Sequence, residues 1–136
     1  MGWNKFIPEA EVQTRVTGET VLFAEEFGKY LATKGEYDDP LTTSQLRKFF
    51  GEVKRQQMMG YNSTNFVMLK PKLAYAVGRA KQNAKKNRHQ KIEDFYKVLT
   101  DAINKVEASA DKVKSFNNFI KIFEAIVAYH KSAEAK

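Results

Sequence analysis

The chain has no cysteine. That excludes a disulfide scaffold and thiolate metal sites, and it fits a reducing compartment. No apolar run approaches the roughly 18 residues that a membrane span requires. The opening stretch, MGWNKFIPEAE, lacks the long apolar core of a signal peptide. A cytoplasmic protein with no membrane partner is therefore expected. Proline occurs three times and glycine seven. Neither appears after Gly78, so residues 79–136 contain no strong helix breaker. Acidic residues are scarce in the middle of the chain. Residues 41–91 hold twelve basic side chains and one acidic side chain, Glu52, for a net +11. Residues 1–40 hold four basic and eight acidic (−4), and residues 92–136 hold seven of each. The middle third thus supplies all of the excess behind the formal +7. Segregation of this kind points to a polyanionic partner rather than to an evenly solvated lysine surface.

What is present is a core. Apolar residues make up 43% of the 136, with ten phenylalanines and six tyrosines. That suits one folded domain over residues 1–136, irregular over 1–16. The apolar spacing is helical nearly throughout. Val21, Leu22, Phe27, Tyr30 and Leu31 form a stripe after a cap at Thr17 or Thr20, and KGEYDDP (34–40) ends that helix. Thr42 and Gln45 have capping-box spacing, with Leu41 and Leu46 at the hydrophobic-staple positions. Leu46, Phe49, Phe50, Val53 and Gln57 are the expected buried stripe of this second helix, which should end near Met58 or Met59. MMGYNSTN (58–65) reads as a loop. Lys70-Pro71 opens a third helix with proline in its first turn, and Leu73, Val77, Ala80 and Ala84 form its narrow stripe. KQNAKKNRHQK (81–91) reads equally as an exposed helix or a connection. Ile92, Phe95, Leu99, Ile103 and Val106 mark a fourth helix. Val113, Phe116, Phe119, Ile120, Phe123 and Val127 mark a fifth. The expected fold is all-α, a compact bundle of about five helices.

Two basic faces follow from this reading. Positions seven apart nearly superpose on a helix, so Arg47 stacks with Lys54 and Lys48 with Arg55. Gly51 lies at the centre of these four cations. Glycine costs about 1 kcal/mol relative to alanine within a helix, so its presence asks for a reason. Either a polyanion approaches the backbone there, or a neighbouring helix does. In the next helix Lys72, Tyr75, Arg79, Gln82 and Lys86 share one face, and Lys81, Lys85 and Arg88 form an adjacent ridge. A tyrosine among cations can stack on a base or donate to a phosphate; a tyrosine half-buried in the core is the simpler alternative. Binding through such faces would be salt-dependent and nearly indifferent to sequence. There is no zinc-finger spacing or RNP motif, and the 58–70 connection is too long for the tight turn of a helix-turn-helix.

Catalysis has little support. Metal-dependent phosphodiester cleavage needs clustered carboxylates, and the basic block offers only Glu52. A metal-free ribonuclease using paired histidines would have to draw on His89 and His130. His89 reads as exposed and His130 as packed or capping. No P-loop, nucleophile elbow or dinucleotide fingerprint is present. No enzyme, metal or cofactor is expected. The remaining alternatives are a basic scaffold for an acidic partner protein and a general nucleic-acid-binding bundle.

Three segments carry a resemblance. LTTSQLRKFFGEV (41–53), LKPKLAYAVGRA (69–80) and FIKIFEAIVAYHK (119–131) look like the signature segments of the small helical subunit of type III-A CRISPR effectors, the Csm complex. The likeness covers about two thirds of the chain, in the family's order and approximate spacing. It implies a non-catalytic helical subunit of an antiviral defence complex, present in several copies that stack beside the larger backbone subunits. It also implies contact with target RNA and with the guide–target duplex, without reading of sequence. The family's RNA-facing helices match those around Arg47, Lys48, Lys54 and Arg55, and around Arg79, Lys81, Lys85 and Lys86. The third segment looks like core and subunit contact. The resemblance favours RNA over a helix as the neighbour of Gly51.

Overall fold

Two threonines set the first two long helices. The computed structural model of the chain describes residues 2–35, 40–83 and 89–134. Helix α1 (Glu9–Gln13) is short, and α2 (Gly18–Ala32) follows it. At the start of α2 the Thr17 hydroxyl accepts from the Thr20 backbone N–H, while Thr20 Oγ1 accepts from the Thr17 N–H at 3.0 Å. Helix α3 (Thr43–Met59) opens with the expected box. Thr42 Oγ1 accepts from Gln45 N–H at 3.1 Å, and Gln45 Oε1 accepts from Thr42 N–H at 2.8 Å. Leu41 and Leu46 are both buried beside it. Reciprocal capping satisfies donors that would otherwise be orphaned, which is why both starts depend on local sequence alone.

The stretch 58–65 is more ordered than a loop. Gly60, at φ +93°, ends α3. Asn62 then caps a short helix α4 (Ser63–Val67), accepting from the Asn65 N–H at 2.9 Å. Helix α5 (Leu69–Asn83) follows at once, with Pro71 in its first turn. Helices α6 (Gln90–Glu107) and α7 (Lys112–Glu134) complete the order. Among the described residues, five helices have fifteen residues or more, and two have five. No strand occurs among the described residues, so the all-α expectation holds.

Helix α7 is the axle. It packs against α1, α2, α3 and α6, and its contact with α2 is the most extensive among the described residues. Phe123 of α7 meets Phe49 of α3 and Phe95 of α6 at ring separations of 5.8 and 6.0 Å. Phe66 of α4 meets Phe116 and Phe119 edge-on. Edge-to-face pairs at these spacings add to what burial of the rings already supplies.

Helix α2 meets α7 through Gly28. A β-carbon on Gly28 would lie 2.8 Å from the His130 backbone nitrogen and 2.9 Å from the Ile126 carbonyl oxygen. This approach fixes the rotation of α2. Its buried line is Thr20, Phe23, Ala24, Phe27, Gly28 and Leu31. Val21 and Leu22, read from sequence as part of the stripe, are 40% and 48% exposed. In α3, Gln56 is buried and Gln57 is not. The Gln56 amide donates to the Asn65 carbonyl at 2.9 Å and so joins α3 to α4. Val113, at the start of α7, is exposed.

The N-terminal stretch, expected to be irregular, contains α1 and is tied down along its length. Trp3 packs on Phe23, Phe27 and Tyr30. Its backbone N–H donates to the buried Asp94 carboxylate at 2.9 Å. Lys105 donates to the Ile7 carbonyl, and the Asn118 amide donates to the Val12 carbonyl.

Candidate nucleic-acid interface

The basic face of α3 sits opposite its core line of Leu46, Phe49 and Val53. Gly51 is exposed, and nothing lies within 4 Å of where its β-carbon would be. Among the described residues, then, no helix packs on it, which removes the packing alternative. Gly51→Ala is expected to raise stability by up to about 1 kcal/mol, through propensity alone. A shift of the denaturation midpoint to higher denaturant checks this.

The four cations around Gly51 divide into two pairs. Arg47 and Lys48 are exposed, with no carboxylate in ion-pair range among the described residues. Lys54 and Arg55 are engaged by acids. Lys54 Nζ lies 3.8 Å from a Glu124 carboxylate oxygen on α7. Arg55 holds Glu52 in a fork, Nη2 at 2.7 Å and Nε at 3.2 Å.

Glu52, the lone acid of the basic block, is a junction that sequence reasoning missed. Besides Arg55 it accepts from Lys72 Nζ of α5 at 3.0 Å and from the Gln56 amide at 3.2 Å. It thereby ties the two basic helices together. The Arg55 guanidinium above all, then Lys72 and Gln56, holds its carboxyl at about 2, down from 4.5, against the opposing pull of partial burial. A carboxyl so depressed favours the folded state above about pH 4.5, and that contribution fades as pH falls toward 2. Glu52→Gln is expected to lower stability at neutral pH and to remove this part of the acid sensitivity. Denaturation midpoints of both proteins at neutral pH and at about pH 3 should differ at the former and converge toward the latter.

On α5 the line Lys72, Tyr75, Arg79 repeats at i, i+3 and i+7, so the three share a side. All three are exposed, and Tyr75 is 67% exposed. The half-buried core position considered for this tyrosine is therefore not the one it takes. Arg79 Nη1 donates to the Tyr75 hydroxyl oxygen at 3.2 Å. Gln82 is exposed as well. Lys81 is turned to the other side, where its ammonium meets Glu93 of α6 at 2.7 Å. Lys85, Lys86, Arg88 and Ala84 lie outside the described residues.

Between α3 and α5 runs a groove of about 530 Å³. Lys48 and Glu52 stand on its α3 wall, and Lys72, Tyr75 and Arg79 on its α5 wall. Phe49, Leu73, Val77 and Phe95 form an apolar floor. Four of the predicted site residues thus converge on one feature: Lys48, Lys72, Tyr75 and Arg79. Arg47, Gly51 and Lys54 do not line it.

The histidines do not form a catalytic pair at the surface. His130 is buried, and its ring Nε2 bonds the Leu41 carbonyl. Since a carbonyl only accepts, the Nε2 carries the proton. His89 stands at the N-cap of α6 with no capping bond. No cluster of metal-ligating side chains occurs among the described residues, and no described helix is long and apolar enough to cross a membrane.

The family model described as Csm2 Type III-A matches residues 16–136. The chain belongs to this family. It is accordingly a small subunit of the type III-A CRISPR Csm complex. No curated protein and no solved structure is similar enough to count as a relative. The Csm2 match takes in both groove walls and all of α7, and leaves out Trp3, Ile7 and α1.

Proposed function

We propose that this Csm2-family chain is the non-catalytic RNA-binding small subunit of its effector complex. It binds the backbone of target RNA and of the guide–target duplex without regard to sequence. It packs beside the larger backbone subunits and further copies of itself, in the cytoplasm. The observation that carries this reading is the convergence of Lys48, Lys72 and Arg79 on one groove, next to the exposed Arg47 and Gly51. Cations held on two helices that the half-buried Glu52 carboxylate cross-links form a preset surface for phosphates. The described part of the basic block offers only Glu52 as an acid, and Glu52 is occupied by Arg55 and Lys72. That arrangement suits neither metal binding nor general-base chemistry.

The test is binding of the isolated protein to short labelled RNAs of unrelated sequence, titrated with salt. Affinity is expected to be alike across sequences and to fall steeply with salt, as counterion release demands. A chain that ignores RNA at low salt would instead be a basic scaffold for an acidic partner protein.

A further inference from the structure

Phosphate binding leaves one part of the groove unexplained. A surface that met only sugar-phosphate backbone would need cations and small polar groups. Here the cations form a rim, and within it lie an apolar floor and an exposed aromatic ring. Phe49, Leu73, Val77 and Phe95 line the bottom, and Tyr75 stands at the edge with its hydroxyl bonded to Arg79. The volume, about 530 Å³, lies within the roughly 300–1,000 Å³ of ordinary small-ligand sites. It is far too small for a duplex.

We infer that the α3–α5 groove seats a single unpaired nucleotide of an RNA strand, with its base against Tyr75 and the apolar floor and its phosphates on Lys48, Lys72 and Arg79. This rests on the RNA-binding reading above and extends it from backbone to base. A paired A-form helix keeps its bases in the stack and offers phosphates and 2′-hydroxyls at its surface. Only an unpaired base can be splayed out to use an apolar floor. The Arg79–Tyr75 hydrogen bond orients the phenol, so the ring is placed before the base arrives. The floor itself neither donates nor accepts, and the acceptors on the α3 wall are engaged, Gln45 Oε1 by the Thr42 N–H and Glu52 by Arg55, Gln56 and Lys72, so the site accepts any of the four bases. Stacking on an aromatic face is sequence-tolerant for the same reason.

The test uses the full chain with a short single-stranded RNA and the same RNA annealed to its complement. The wild type is expected to prefer the single strand. Tyr75→Ala should cut that preference about tenfold or more, while Tyr75→Phe, which keeps the ring, should retain most of it. A single-stranded RNA with one 2-aminopurine should change its fluorescence on binding the wild type and not on binding Tyr75→Ala. Because Tyr75 is largely exposed, both variants should fold, which circular dichroism verifies. If Tyr75→Ala weakens strand and duplex equally, or neither, the nucleotide seat is wrong. In that case loss of binding in Lys72→Glu would leave the phosphate face standing, whereas absence of RNA binding by the wild type would remove both.

Discussion

Reversing Lys48, Lys72 and Arg79 together to glutamate is expected to lower RNA affinity by about a hundredfold or more at low salt. Each reversal removes one attraction to a phosphate and adds one repulsion. All three side chains are exposed and border the same groove, so their effects fall on one ligand. The slope of log affinity against log salt should become shallower by about two to three, since each lost phosphate contact takes roughly 0.7–0.9 with it. That slope separates loss of charge from loss of shape. Lys72→Glu also sets a second carboxylate beside Glu52, so a version with Lys72→Gln serves as the control for folding. Lys54 and Arg55 are weaker targets despite their place in the sequence pattern, because neither lines the groove. Unchanged affinity and slope in the triple variant would place the RNA face elsewhere.

Gly28→Ala is expected to be destabilising, unlike an alanine at Gly18, Gly51 or Gly78, where nothing lies within 4 Å of the added β-carbon. The added methyl would lie 2.8 Å from the His130 nitrogen, 2.9 Å from the Ile126 oxygen and 3.0 Å from the Tyr129 β-carbon. None of these atoms can rotate out of the way. Helix α2 would have to lift from α7, loosening Phe23, Ala24, Phe27 and Leu31 together. Overpacking of this kind costs about 1–3 kcal/mol or more, and the better helix propensity of alanine returns only about 1 kcal/mol. A net loss of up to about 2 kcal/mol should appear as a lower denaturation midpoint with an unchanged slope. Gly28→Ala and Gly51→Ala should therefore shift the midpoint in opposite directions, although both glycines sit inside helices. A neutral Gly28→Ala would mean that the two backbones are not in contact.

The contrast shows which signals travel in sequence. The Thr42–Gln45 box, the end of α3 near Met59 and the proline start of α5 were readable because each depends on neighbours within a turn. The core stripe of α6 was readable because one face alone is apolar. The rotation of α2 was not. Val21 and Leu22 are as apolar as Phe23 and Ala24, and only the approach of α7 at Gly28 decides which pair goes inside. Gln56 and Gln57 are likewise indistinguishable until the Asn65 carbonyl is in place to receive one of them. The short helix α4 was hidden within a polar run whose only cue was Asn62. At the candidate site, helical periodicity brought Lys48 and Arg55, and Lys72, Tyr75 and Arg79, to common faces. It could not show that Glu52 would bind both helices, that Lys81 would turn to Glu93, or that Tyr75 would stand in solvent. Each of those depends on where a second helix lies. The resemblance to the Csm small subunit, carried by three separated segments, is borne out by a family match over residues 16–136.

The place of α7 in the chain has a consequence for how the protein is made. This helix is translated after the other described helices, yet α1, α2, α3 and α6 all pack against it. While synthesis is under way, the buried face of α2 has no α7 to close over it, and Phe49 on α3 has no Phe123. Folding of the whole unit is therefore deferred until Lys112–Glu134 has emerged, rather than proceeding helix by helix from the N-terminus. A ribosome stalled before Lys112 would display an open, aromatic-rich intermediate, and a transcript truncated there would yield a chain without its axle.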